Sequence, residues 1–151
     1  MNTMTKKTKA VLAVASAGML SVGGAAAFAY WTTTGTGTGS ATASAGGGTV
    51  TLHSSFAQGL APGQSTAVTY TADNSSDTST VVGALQATVA TSDASCLPEW
   101  FTVTANTDNA AVAAHTTSSV KVGSGTLAFN DSTANQDACK SATIIVNVTS
   151  N

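Results

Sequence analysis

Beyond residue 48 the chain alternates apolar or β-branched residues with small polar ones in short runs, and outside the leader no window longer than about ten residues holds helical apolar spacing. The runs are TVTL (49–52), STAVTYTA (65–72), TVVGALQATVA (80–90), WFTVTA (100–105), SSVKV (118–122), GTLAF (125–129) and ATIIVNV (142–148). Thr, Val and Ser dominate them, where helices would use Leu, Glu, Lys and Arg. Turn-forming residues separate several runs, such as Ala-Pro-Gly-Gln at 61–64 and DNSSD at 73–77. Seven short strands in about a hundred residues predict an all-β domain, an immunoglobulin-like antiparallel β-sandwich of about seven to eight strands, with a closed barrel as the alternative. The expected core is Val50, Leu52, Val68, Tyr70, Val81, Leu85, Val89, Phe101, Val103, Leu127, Phe129, Ile144, Val146 and Val148. Trp100 should face away from Phe101, as a packing element or a surface binding aromatic.

Residues 1–9 carry three lysines and no acid, and residues 10–29 are uncharged and end in Ala27-Phe28-Ala29. This pattern predicts a signal peptide (1–29), an N-terminal signal helix cleaved after Ala29 at an A-x-A site. The competing reading is a retained anchor, which would be the protein's one attachment to a membrane. The expected organisation is therefore 1–29 leader, 30–48 Thr/Gly/Ser-rich linker or edge strand, and 49–151 sandwich. The mature chain keeps only Lys121 and Lys140 against seven acids, a net charge of −5. With no cluster of basic residues to neutralise phosphates, nucleic acid is excluded as a partner.

Export brings Cys96 and Cys139 into an oxidising environment, and two cysteines have a single intramolecular pairing. A structural Cys96–Cys139 disulfide is expected. There is no CxxC and no histidine at ligand spacing, which disfavours a metal or redox site.

Residues 32–48, TTTGTGTGSATASAGGG, have the composition of a flexible linker. Yet Thr alternates with Gly from Thr34 to Thr38, and a period of two places the β-branched residues on one face of an extended strand. An edge strand is an equal expectation.

Catalytic constellations are lacking. His53 and His115 are the only histidines, no GxSxG elbow is present, and neither histidine sits in HExxH. Asp93 and Glu99 are read as solvated loop acids rather than a glycosidase pair, since few aromatics exist to line a sugar cleft. Asp73, Asn74 and Asp77, and Asn130, Asp131 and Asp137, offer hard oxygen ligands for calcium, but Asx residues in turns have the same appearance without metal. The expectation is a non-enzyme with no cofactor and no metal.

The end of the leader followed by Ala29-Tyr30-Trp31-Thr32, a Thr/Gly/Ser segment and the strand GTVTL resembles the SipW-type signal peptides of Gram-positive secreted proteins. The C-terminal half, with Cys96, FTV at 101–103, GTLAF at 125–129 and NQDACKSATIIVNV at 135–148, resembles small secreted actinobacterial proteins. The resemblance implies secretion to the exterior or cell surface of a Gram-positive bacterium and a β-sandwich. It also implies a distant link to biofilm-matrix fibre subunits and camelysin-like proteins. The chain lacks the long insertions of the larger fibre subunits, and no acid follows Trp31. On this reading the protein is a cell-surface or extracellular-matrix structural protein. Its Thr/Gly segment would act as a donor strand, pairing its backbone with an exposed sheet edge of the next subunit, and the expected partnership is self-association or a place as a cell-envelope component. The alternative is a monomeric secreted binding module, an adhesin or cell-wall glycan binder.

Overall fold

The computed structural model describes residues 34–42 and 49–151; the expected leader and residues 30–33 and 43–48 lie outside the described residues. The described residues form an all-β sandwich of ten strands: β1 (Thr34–Thr42), β2 (Thr49–Phe56), β3 (Ser65–Asn74), β4 (Thr80–Val81), β5 (Leu85–Thr91), β6 (Phe101–Val103), β7 (Asn106–Thr107), β8 (Ala111–Val112), β9 (Thr116–Phe129) and β10 (Thr143–Ser150). Hydrogen-bonded neighbours follow the path β5-β10-β1-β2-β3-β9-β6, with β7 also on β9, while β4 and β8 form a separate short ladder.

The alternation in sequence becomes burial. In β2 Val50, Leu52 and Ser54 are buried, and in β3 Val68, Tyr70, Ala72 and Asn74 are, while their neighbours face outward. Ile144, Val146 and Val148 of β10 join Leu52, Val68, Tyr70, Leu127 and Phe129 in one core between the two layers. Phe101 and Phe129 stack at its base with ring centroids 4.4 Å apart. Pro62 and Gly63 make the expected turn: Gln64 N–H donates to Ala61 O (3.0 Å), and Gly63 adopts φ 77°, which this turn reserves for glycine.

Four expectations need correction. The 80–90 run is not one strand; it breaks at 82–84 into β4 and β5, so its parity resets and Val82 is buried while Val81 is 56% exposed. The break is anchored by Val82 N–H donating to Ala110 O (3.2 Å) and by Gly83, where a Cβ would strike the Asn151 carbonyl. Val89 and Val103 are half-buried rather than core, because β5 and β6 are the two ends of the sheet path and their inner faces are covered from one side. The WFTVTA run gives only a three-residue strand: Trp100 ends a 3₁₀ turn (Pro98–Trp100), and β6 begins at Phe101.

The fourth concerns SSVKV and GTLAF, which are one strand, β9, and not two. Its pairing with β3 is Tyr70 to Gly123 and then Thr71 to Lys121, so Val122 is an extra residue. A one-residue bulge moves the inward set from even to odd positions, from Val120 and Val122 to Leu127 and Phe129. Gly123 and Gly125 are not turn residues. They let the 104–106 segment lie directly on β9, since a Cβ on either would collide with the carbonyl of Asn106 or Thr104.

Candidate assembly site

The Thr/Gly segment is a strand, and it is flanked on both sides rather than lying at an edge. Thr34 and Gly35 pair in parallel with Thr143 and Ile144 of β10, and from Thr36 to Thr42 the same strand pairs antiparallel with β2, Thr36 opposite Ser55 and Thr42 opposite Thr49. β1 thus passes from one layer of the sandwich to the other and closes it on that side.

The register explains the composition. Gly37, Gly39 and Ala41 stand level with Ser54, Leu52 and Val50, the buried residues of β2, and Gly35 stands level with buried Ile144. Thr36, Thr38, Ser40 and Thr42 stand level with the outward-facing positions. The positions of β1 level with buried residues of its two neighbours are thus all Gly or Ala, and the strand is held to them by main-chain pairing. Where β1 leaves β10 for β2, the buried Ser54 Oγ–H donates to Val146 O (2.7 Å) and supplies a polar link between the layers.

At the opposite side the Cys96–Cys139 disulfide is formed, with Cα atoms 4.8 Å apart and both residues fully buried. It ties the loop leaving β5 to the 3₁₀ turn Asp137–Lys140, which leads into β10, and so clamps two strands that are already neighbours. Thr91 Oγ1–H donates to Cys96 O (2.6 Å), and Gln136 O accepts from Cys139 N–H (3.0 Å). Trp100 is half-buried and packs against the core, with its carbonyl accepting from Asn130 N–H (2.8 Å).

The polar residues singled out in the sequence serve turns and cross-strand pairs. Asn74 is fully buried: Nδ2 donates to Thr78 O (2.8 Å) and Val112 O (3.1 Å), and Oδ1 accepts from Ser76 N (3.0 Å) and Oγ (2.6 Å). Asp73 Oδ2 meets His53 Nε2 at 3.1 Å, and its Oδ1 accepts from Ser119 N (2.8 Å) and Oγ (3.1 Å). Desolvation pushes the Asp73 pKa up, but the Ser119 hydrogen bonds and His53 outweigh it and hold the carboxyl below its ordinary value. Because Ser119 donates to the carboxylate and no bond from it to the imidazole is formed, the trio lacks the hydroxyl–base link of an activated nucleophile. Asp77 pairs with His115 (3.1 Å), so Asp73, Asn74 and Asp77 are each committed to a different set of partners. Around the second Asx group, Asn130 Nδ2 donates to Thr102 Oγ1 (2.9 Å), Asp131 caps Ser132 N (3.0 Å) and Asp137 pairs with Lys140 (2.6 Å). Asp93 accepts from Ser95 N (2.8 Å), and Glu99 is exposed in the 3₁₀ turn. Among the described residues no group of three His, Cys, Asp or Glu side chains is gathered as for a metal ion.

Sequence reasoning missed Ser54 and Asn74 as buried organisers, since a lone Ser or Asn in a Thr-rich strand carries no signal until its register is known. Comparison with protein-family models, with curated proteins and with solved structures gave no significant match.

Proposed function

We propose that the chain is a secreted structural protein of the cell surface or extracellular matrix of a Gram-positive bacterium, whose copies join by exchanging β1. The observation that carries this reading is the character of β1. It is a nine-residue strand with Gly or Ala level with the buried residues of its neighbours, paired with both β10 and β2, and joined to the rest of the domain through residues 43–48. Any second copy carries the same segment, and its main chain makes the same hydrogen bonds in the same slot, so exchange costs no core packing. The place of β1 close behind the expected cleavage site agrees with a connector released by processing, and the buried disulfide suits an oxidising exterior.

The test uses the mature chain beginning at Tyr30, compared with a form lacking residues 30–44, by sedimentation velocity and negative-stain imaging. Oligomers or filaments are expected from the longer form alone, and excess peptide of residues 30–44 should arrest their growth. Monomers from both forms across the concentration range, or assembly untouched by the peptide, would refute the exchange. Saturable binding to cell-wall glycan without assembly would then favour a monomeric binding module.

A further inference from the structure

The first residues of β1 and the disulfide meet at the same end of β10. Thr34 and Gly35 stand level with Thr143 and Ile144, whereas Thr36 to Thr42 are paired with β2. Thr143 follows Cys139 in the chain after Lys140, Ser141 and the buried Ala142. Across the ladder Ile144 is opposite Thr91, the last residue of β5, and Thr91 Oγ1–H donates to Cys96 O (2.6 Å). One row therefore runs from Gly35 through Ile144 to Thr91, with Cys96 bonded to its outer member.

Ser92 fixes the corner of this row. Its N–H donates to Thr143 O (3.0 Å), and its Oγ accepts from Thr143 N–H (2.8 Å). Main-chain groups of successive strand residues point to opposite sides, so with Thr143 O turned to β5, the N–H and C=O of Ile144 are turned to β1. In the parallel register they meet Thr34 O and Thr36 N–H. Val146 O, the next carbonyl on that side of β10, accepts from Ser54 Oγ–H (2.7 Å) and is taken. The hold of β10 on β1 is thus concentrated at Ile144, at the end of the β5–β10 ladder.

Ladder ends fray first, because the last pairs have neighbours on one side only. Here the loop leaving β5 and the turn Asp137–Lys140 before β10 are joined by a fully buried covalent bond, which closes the end of the ladder just beyond Ile144. With the two thiols separate, the row Thr91–Ile144–Gly35 ends in two unjoined loops.

We infer that the Cys96–Cys139 disulfide is a redox latch on the slot that takes β1: the oxidised chain holds Ile144 where the strand needs it, and the dithiol chain holds β1 on β2 alone. The inference rests on the proposed exchange of β1 and adds the step that permits it. As the latch closes, the Sγ–Sγ bond forms, and the two electrons and two protons of the thiols pass to the disulfide of a thiol oxidoreductase, which leaves as a dithiol. A chain in a reducing compartment has an incomplete slot, so copies link after export and not before.

The test follows from linkage, since a latch that tightens β1 is itself tightened by β1 to the same degree. The mature full-length chain is brought to equilibrium with glutathione, and the fraction of disulfide is read by thiol trapping. Thr36→Pro removes the N–H that reaches Ile144 O, and the disulfide should become about tenfold easier to reduce, a shift of about 30 mV. Tyr70→Phe also loses a buried hydrogen bond, to Thr104 O, but on a strand that pairs with neither β1 nor β10, and should leave the equilibrium unchanged. Equal shifts in the two variants, or no shift in Thr36→Pro, would overturn the latch. In sedimentation velocity the oxidised chain should associate at least tenfold more tightly than the same chain kept reduced. Filaments forming equally well from the dithiol chain overturn the latch and leave β1 exchange standing, whereas the tenfold redox shift in a chain that never associates supports the latch and counts against exchange.

Discussion

Asn74 is the polar residue on which the most local structure depends, and two substitutions separate its hydrogen bonding from its volume. In Asn74→Ala four hydrogen bonds disappear. Thr78 is exposed and its carbonyl regains water; Val112 is fully buried, and its carbonyl does not. At about 1 kcal/mol for each exchanged bond and 1–3 kcal/mol for a buried group left short of a partner, the loss is about 2–4 kcal/mol. That is a large share of a small domain's stability, which is on the order of 5–15 kcal/mol. With a urea slope of roughly 1.5 kcal/mol/M, the unfolding midpoint followed by Trp fluorescence falls by about 2 M. Asn74→Asp keeps the shape but turns the donor atom into an acceptor facing the carbonyls of Thr78 and Val112, and it buries a charge. Its loss at neutral pH should exceed that of the alanine variant, reaching about 4 kcal/mol or more. An Asp held among acceptors keeps its proton more firmly folded than unfolded. The variant is therefore closest to wild type below pH ~3.9 and loses stability as the pH rises through that value. An alanine variant within 0.5 kcal/mol of wild type, or an aspartate variant whose deficit is the same at pH 3.5 and pH 7, would refute this account.

Replacing both Cys96 and Cys139 by alanine opens a loop of about 44 residues in the unfolded chain and should cost about 4 kcal/mol on the chain-entropy estimate; a calorimetric or urea measurement showing under 1 kcal/mol would count against it. Tyr70 is fully buried with its hydroxyl donating to Thr104 O (2.8 Å), and desolvation pushes its pKa from 10.0 up to about 12. The folded state keeps this proton after the unfolded state has lost it, so stability is full below pH ~10 and falls by about 2–3 kcal/mol between pH 10 and 12. Urea titrations across that range should show the decline, and Tyr70→Phe should abolish this share of it.

The regions of the fold legible in the sequence are those where alternation runs unbroken on a single strand. STAVTYTA and ATIIVNV carry their burial on their face, and two cysteines admit one intramolecular pairing. What stayed hidden depends on partners distant in sequence. The bulge at Val122 splits one strand into two apparent ones, because the shift from even to odd inward positions imitates a turn and Gly123 and Gly125 reinforce the impression. Val112 lies within AVAAH, too short a run to declare itself, and is buried only because β8 meets β4 and Asn74. The half-exposure of Val89 and Val103 follows from their place at the ends of the sheet path, which no local pattern encodes. For β1 the ambiguity was physical: glycine at every second position describes a loose linker until a register is known, and then describes a strand lying where the two layers draw together.

The same glycines make β1 tolerant of translation. A slip of two residues toward its C-terminal end brings Gly35, Gly37 and Gly39 level with Ser54, Leu52 and Val50, so each of these buried β2 residues again stands opposite a glycine. Most strands resist such a slip, because knobs on one face fit one set of hollows only. Along TGTGTG the fit recurs every two residues, about 6.8 Å of travel, before Ser40 and Ala41 end the repeat. In the proposed assembly a joint made through this strand would have discrete stops instead of one fixed length, so the spacing between linked copies would change under tension by whole steps while glycines stayed level with the buried residues of β2.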